Sequence, residues 1–98
     1  MEIKGKNYVL KYGLRPMFIF EEMVGKSFEI KTLFDTYCFC YACIIANKDN
    51  EALEFSDFID ACDENPGIIE EFNKFMDSEL KKRSALGDKK KVTKKGKN

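Results

Sequence analysis

Tyr37-Cys38-Phe39-Cys40-Tyr41-Ala42-Cys43-Ile44-Ile45-Ala46 is a run of ten residues without a charge or a turn former, set in a far more polar chain. It lies inside a longer segment, Ile30 to Asn47, that starts with polar residues at Lys31, Thr32 and Asp35 and then becomes apolar on every face. A segment apolar all round is a helix covered on several sides. Ten residues are too few to span a bilayer, which takes about 20. The stretch is therefore expected to be the central helix of the fold, ended by the polar cluster Asn47-Lys48-Asp49-Asn50. Leu33, Tyr37, Tyr41 and Ile44 make one stripe, Phe34, Cys38 and Ile45 a neighbouring one, and Phe39 and Cys43 lie round the side. So wide an apolar surface is hard to cover in a chain of this size, and part of it is expected to meet another chain.

Downstream, Leu53 to Asn65 reads as a helix capped near Ser56, with Phe55, Phe58, Ile59 and Cys62 on its buried face by i, i+3, i+4, i+7 spacing. Asn65-Pro66-Gly67 breaks it and opens a further helix, with Asn65 as cap and Pro66 at the first helical position. Ile68, Ile69, Phe72, Phe75, Met76 and Leu80 are its apolar stripe. Lys81-Lys82-Arg83 complements the negative end of its dipole. Upstream, Met1 to Tyr12 reads as a hairpin: a short strand through Ile3, a turn at Lys4-Gly5-Lys6-Asn7, and a strand Tyr8 to Tyr12 with Tyr8, Leu10 and Tyr12 on one face. An isolated hairpin is marginal in water, so this one must lie on helices or pair with another chain. Gly13 ends it. A short helix is expected from Arg15 to Val24, with Pro16 in its first turn, Gly25 as C-cap, Met17, Phe18, Phe20, Met23 and Val24 on its apolar side, and Glu21 and Glu22 in water. Phe28, in the link that follows, is expected to plug the core.

The expected fold is thus mainly α: a short N-terminal β-hairpin followed by about four helices around a central apolar helix. With 98 residues, 44% of them hydrophobic, the chain fits one small domain over 1–83. Residues 84–98 have too little apolar content to fold and are expected to form a disordered Lys-rich tail. The zero net charge hides an asymmetry: residues 1–80 carry 16 acids and 8 bases, a charge of −8, and residues 81–98 carry 9 bases and 1 acid, a charge of +8. Between Asp49 and Glu79 there are 11 acids against Lys74 alone, a surface that repels nucleic acid and favours basic partners. Met1-Glu2-Ile3-Lys4-Gly5-Lys6 does not read as a secretory leader, so a cytosolic location is expected, in which the four cysteines stay thiols.

Cys38, Cys40, Cys43 and Cys62 could be written as four thiolate ligands, but on a helix Cys38 and Cys40 point about 200° apart and only Cys40 and Cys43, about 60° apart, share a face. The chain holds no histidine to complete a mixed zinc site. Buried structural thiols are the preferred reading, and no metal or cofactor is expected. Without histidine there is no Ser-His or Cys-His pair, and no Gly-rich phosphate loop follows a strand, so no enzymatic activity is expected. Asp57, Asp60, Asp63, Glu64, Glu70 and Glu71 lack the order of a calcium loop and read as a solvated helix face. The run Lys89 to Lys97 has no interleaved aromatic to stack on bases. A solubilising tail is preferred over nucleic-acid binding, and a small nucleic-acid-binding regulator using this tail is kept as the alternative function.

Gly5-Lys6-Asn7-Tyr8-Val9-Leu10-Lys11-Tyr12-Gly13, the segment Arg15 to Val24, the link Gly25-Lys26-Ser27, and the later Phe55-x-x-Phe58-Ile59-x-Ala61-x-x-x-Asn65-Pro66 segment with its closing helix together resemble the tail assembly chaperones of long-tailed, siphovirus-like bacteriophages. The resemblance spans about residues 3 to 83. It implies a helical, non-enzymatic protein that forms homo-oligomers, binds apolar helical segments of the tape-measure protein in the host cytoplasm, and is absent from the mature virion. It also implies a longer frameshifted form, with which the Lys89-Lys90-Lys91 run is compatible. The residues expected to carry partner binding are Phe18, Phe20, Phe39, Tyr41, Phe72 and Phe75. No membrane partner is expected.

Overall fold

A computed structural model describes the backbone of residues 1–95 and the side chains of residues 1–83. Its elements are β1 (Glu2–Ile3), β2 (Lys6–Asn7), α1 (Leu14–Val24), α2 (Leu33–Ile45), α3 (Phe55–Glu64) and α4 (Gly67–Lys95). The fold is mainly helical behind a short antiparallel hairpin.

The hairpin is smaller than its sequence pattern predicts. Glu2 pairs with Asn7 and Ile3 with Lys6, so only Lys4 and Gly5 form the turn. Both have positive φ, 51° and 81°, the requirement of a tight two-residue hairpin, and Gly5 meets it without a side-chain clash. The ladder gains one more rung where Tyr8 N–H donates to the Met1 carbonyl and the Met1 ammonium donates to the Tyr8 carbonyl, each at 2.7 Å. That ammonium also pairs with Glu71 of α4 at 3.1 Å.

Of residues 8–12, expected as the second strand, Tyr8 alone continues the ladder, and none is in a strand. Their period-two alternation holds, with Tyr8 buried and Val9 and Lys11 exposed. Their backbone groups find partners at the end of α2 instead. Asn50 Oδ1 accepts from Val9 N–H at 2.9 Å, the Asn47 and Asn50 amides donate to the Val9 carbonyl, and Lys11 N–H donates to the Cys43 carbonyl. An asparagine side chain carries both a donor and an acceptor, and so serves these backbone groups without a second strand. The hairpin therefore lies on its own helices, with Ile3 and Tyr8 in the core.

Gly25 closes α1 in the left-handed conformation, φ 72°, its N–H bonded to the Glu21 carbonyl. α2 starts at Leu33 rather than Ile30. Thr32 accepts from Asp35 N–H while the Asp35 carboxylate accepts from Thr32 N–H, a reciprocal capping box that sets the first turn. α3 begins one residue before the expected cap. Glu54 is its N-cap residue and Ser56 is already helical, because Phe58 N–H bonds the Glu54 carbonyl. Asn65 caps α4 as expected, accepting from Gly67 N–H at 2.9 Å. The helix does not stop at Lys81-Lys82-Arg83. Its backbone continues to Lys95, through residues rich in the good helix formers alanine, leucine and lysine. The expectation of a disordered tail over 84–98 concerns residues that lie outside the described side chains. Among the described residues no helix is long and apolar enough to cross a membrane.

Candidate functional site

α2 is flanked by two aromatic clusters. The first is centred on Phe39, whose ring meets Tyr12 at 6.1 Å between centroids, Phe20 of α1 at 6.1 Å, Phe28 of the α1–α2 link at 4.9 Å and Phe72 of α4 at 6.2 Å. Four separate parts of the chain thus converge on one side chain, mostly edge to face, the geometry the ring quadrupole favours. Phe28 plugs this cluster as the sequence implies, and Glu21 holds it there. Its carboxylate accepts from Phe28 N–H at 2.7 Å, so Glu21 is half-buried rather than simply in water. Arg83 lies over the Tyr12 ring at 4.5 Å and covers the cluster's edge.

The second cluster joins α2 to α3. Tyr41 meets Phe55 at 5.1 Å and Phe58 at 5.7 Å, and its hydroxyl donates to the Leu53 carbonyl. Tyr37 meets Phe58 and Phe34 meets Phe55. This cluster is open at the start of α2, where Leu33 is 75% exposed and Phe34 58% exposed. Beside them is a groove of about 220 Å³ lined by Leu33, Tyr37, Ile59, Cys62 and Asp63. A larger groove of about 680 Å³ runs along α1, with Leu14, Phe18, Ile19, Arg15, Glu21 and Glu22 as its described lining. Leu14 and Phe18, one turn apart, are 67% and 59% exposed there.

This geometry divides the six residues expected to bind a partner. Phe20, Phe39 and Phe72 are buried core residues, unreachable without opening the fold. Phe39, the most central of them, is a correction. The apolar arc of α2 is covered mostly by its own chain, through α1, residues 8–12 and α4. Tyr41 and Phe75 are half-buried, and Phe18 alone of the six is exposed. Leu14, Leu33 and Phe34 are exposed apolar residues outside that expected set. Part of their signal is in the sequence: Thr32-Leu33-Phe34-Asp35 has capping-box spacing, which places Leu33 and Phe34 in the first turn of a helix.

Cys38, Cys40 and Cys43 are buried and Cys62 half-buried, all as free thiols. Burial pushes the Cys43 thiol up to about 12 and Cys62 up to about 11, and raises Cys40 further in the same direction. Such thiols stay protonated near neutral pH and are poor nucleophiles and poor metal ligands. Among the described residues no three Cys, Asp or Glu side chains converge into a metal-binding group. Asp35 is the one buried charged residue described. Its carboxylate accepts from Lys31 N–H at 3.0 Å and Thr32 N–H at 3.1 Å, with Lys26 Nζ at 3.1 Å. The Lys31 bond above all, with help from Lys26 and Thr32, outweighs the desolvation that opposes it and holds the carboxyl down at about 2.

Compared with profiles of protein families, with curated proteins and with solved structures, the chain matches none.

Proposed function

We propose that this chain is a non-enzymatic interaction protein of the tail-assembly-chaperone kind, which oligomerises and shields apolar helical segments of a tape-measure protein in the host cytoplasm before the tail is complete. One observation carries the reading. A chain with a closed aromatic core leaves large apolar side chains exposed at the starts of both α1 and α2, Leu14 and Phe18 on one and Leu33 and Phe34 on the other. Exposed apolar side chains grouped this way, with polar residues around them, mark surfaces that meet another protein. The acidic stretch from Asp49 to Glu79 adds a preference for basic partners. The resemblance of residues 3 to 83 to tail assembly chaperones supplies the kind of partner.

The test is co-expression with the neighbouring tape-measure gene product. Soluble tape-measure protein should increase and the two should co-elute from a gel-filtration column. Unchanged solubility together with separate elution would remove the reading.

A further inference from the structure

We infer that the groove between the start of α2 and the second half of α3 is a docking site for one turn-after-turn face of an amphipathic, cationic helix on the partner. The inference rests on the reading of the chain as a helix-binding protein and adds to it a location and a charge requirement.

The walls of this groove are Leu33 and Tyr37 from α2 and Ile59 and Cys62 from α3, with Asp63 at the rim. They are side chains on two helices, and neither wall is a strand edge along which an extended peptide could pair. An occupant finds no ladder of main-chain partners here, so it must satisfy most of its own backbone, which a helix does and an extended peptide does not. The apolar walls call for residues at i, i+3 or i+4 and i+7 on that helix.

The rim decides the charge. α3 carries Asp57, Asp60, Asp63 and Glu64 and no basic residue. Asp57 is paired with Lys4 of the hairpin turn. Asp60, Asp63 and Glu64, at i, i+3 and i+4 and so on one face, have no salt-bridge partner among the described residues. The cations near the start of α2 are already engaged, Lys26 with Asp35 and Lys31 with Glu29. An apolar groove with Asp63 at its rim, on a helix that carries Asp60 and Glu64 next to it with none of the three paired among the described residues, selects a helix whose leucine-like face is bordered by lysine or arginine.

The chain's own cationic segment fits less well. Over residues 81–98 its large apolar residues are Leu86 and Val92. Six positions apart in the sequence, they lack the i, i+3 or i+4, i+7 spacing of an apolar stripe. The occupant is therefore a separate partner helix.

The test is fluorescence anisotropy of the full chain with a labelled synthetic helix that has a leucine face bordered by lysines, against the same helix bordered by glutamates. The lysine helix should bind, and the glutamate helix should not. Leu33→Ser should weaken binding about tenfold, as expected when an exposed anchor is removed from a groove. The double substitution Asp60→Lys with Asp63→Lys should reverse the preference, so that the glutamate helix becomes the better ligand. Equal binding of both helices, or wild-type binding by Leu33→Ser with an unchanged circular dichroism spectrum, would overturn the site. Salt-sensitive self-association of the full chain that Leu33→Ser abolishes would assign the groove to a second copy and overturn the proposed occupant. The dependence on the functional reading is separable. Tape-measure protein still solubilised by the Leu33→Ser chain removes the groove alone, whereas no solubilisation by the wild-type chain removes the function.

Discussion

The two sides of α2 use the same residue types and end differently. On the Phe39 side, rings from residues 8–12, α1, the α1–α2 link and α4 surround one phenylalanine and leave it buried. On the Tyr37 side, α3 alone supplies the cover, and it reaches only part of the way. The number of elements that converge on a side chain, rather than its hydrophobicity, decides whether it is core or available surface. Phe39 and Phe34 differ by five positions on one helix and have opposite roles.

The largest effect expected from this contrast is at the closed side. Phe39→Ala should destabilise the fold by about 3–5 kcal/mol, the usual cost of removing a buried aromatic ring, read as a lower urea midpoint. A loss below about 1 kcal/mol would mean that the cluster is not the core.

Next comes the capping box that sets where the open side begins. Asp35, held at about 2 against its ordinary 3.8, has a depressed folded-state value. Its contribution to stability is therefore fully present above about pH 4 and is lost as the pH falls through the folded value towards 2. Asp35→Asn should remove that part of the acid unfolding slope, and Thr32→Ala should cost about 1 kcal/mol at neutral pH. An acid titration identical in wild type and Asp35→Asn would contradict the assignment.

A smaller effect is expected from Tyr41→Phe, which removes the bond to the Leu53 carbonyl and keeps the ring. A loss of about 1 kcal/mol by thermal melting would fit a single hydrogen bond. The smallest stability effect belongs to the open side. Leu33→Ser should change stability by no more than about 0.5 kcal/mol, since the side chain is in water. A larger change would place Leu33 in the core and erase the contrast.

Much of this fold is legible in the sequence. The helical periodicities, the Gly25 cap, the Asn65 cap and the Phe28 plug all follow from local chemistry, which short-range patterns carry well. The misplacements that concern tertiary contacts share a cause, the choice of partner for a backbone or a side chain that several candidates could serve. Residues 8–12 alternate like a strand, yet the hydrogen bonds of Val9 and Lys11 go to Asn47, Asn50 and Cys43, residues some 32 to 41 positions away. Asn47 and Asn50 read as helix stoppers, and nothing local shows that they also stand in for a neighbouring strand. Glu54 rather than Ser56 precedes α3, because Phe55 starts the helix when its ring packs on Tyr41. For the candidate surface, apolar periodicity marks Phe39 and Phe34 alike. Which one is covered depends on where α1, α3 and α4 cross α2, a tertiary fact that spacing along one helix does not contain.

The most direct measurement is amide chemical-shift mapping of the isotopically labelled full chain during titration with the lysine-bordered leucine helix. Shifts should concentrate at Leu33, Phe34, Tyr37, Ile59, Cys62 and Asp63, while Phe20, Phe39 and Phe72 stay in place. Shifts confined to Leu14 and Phe18 on α1, shifts spread through the Phe39 cluster, or no shifts at all would contradict the assignment of the open side of α2 as the binding surface.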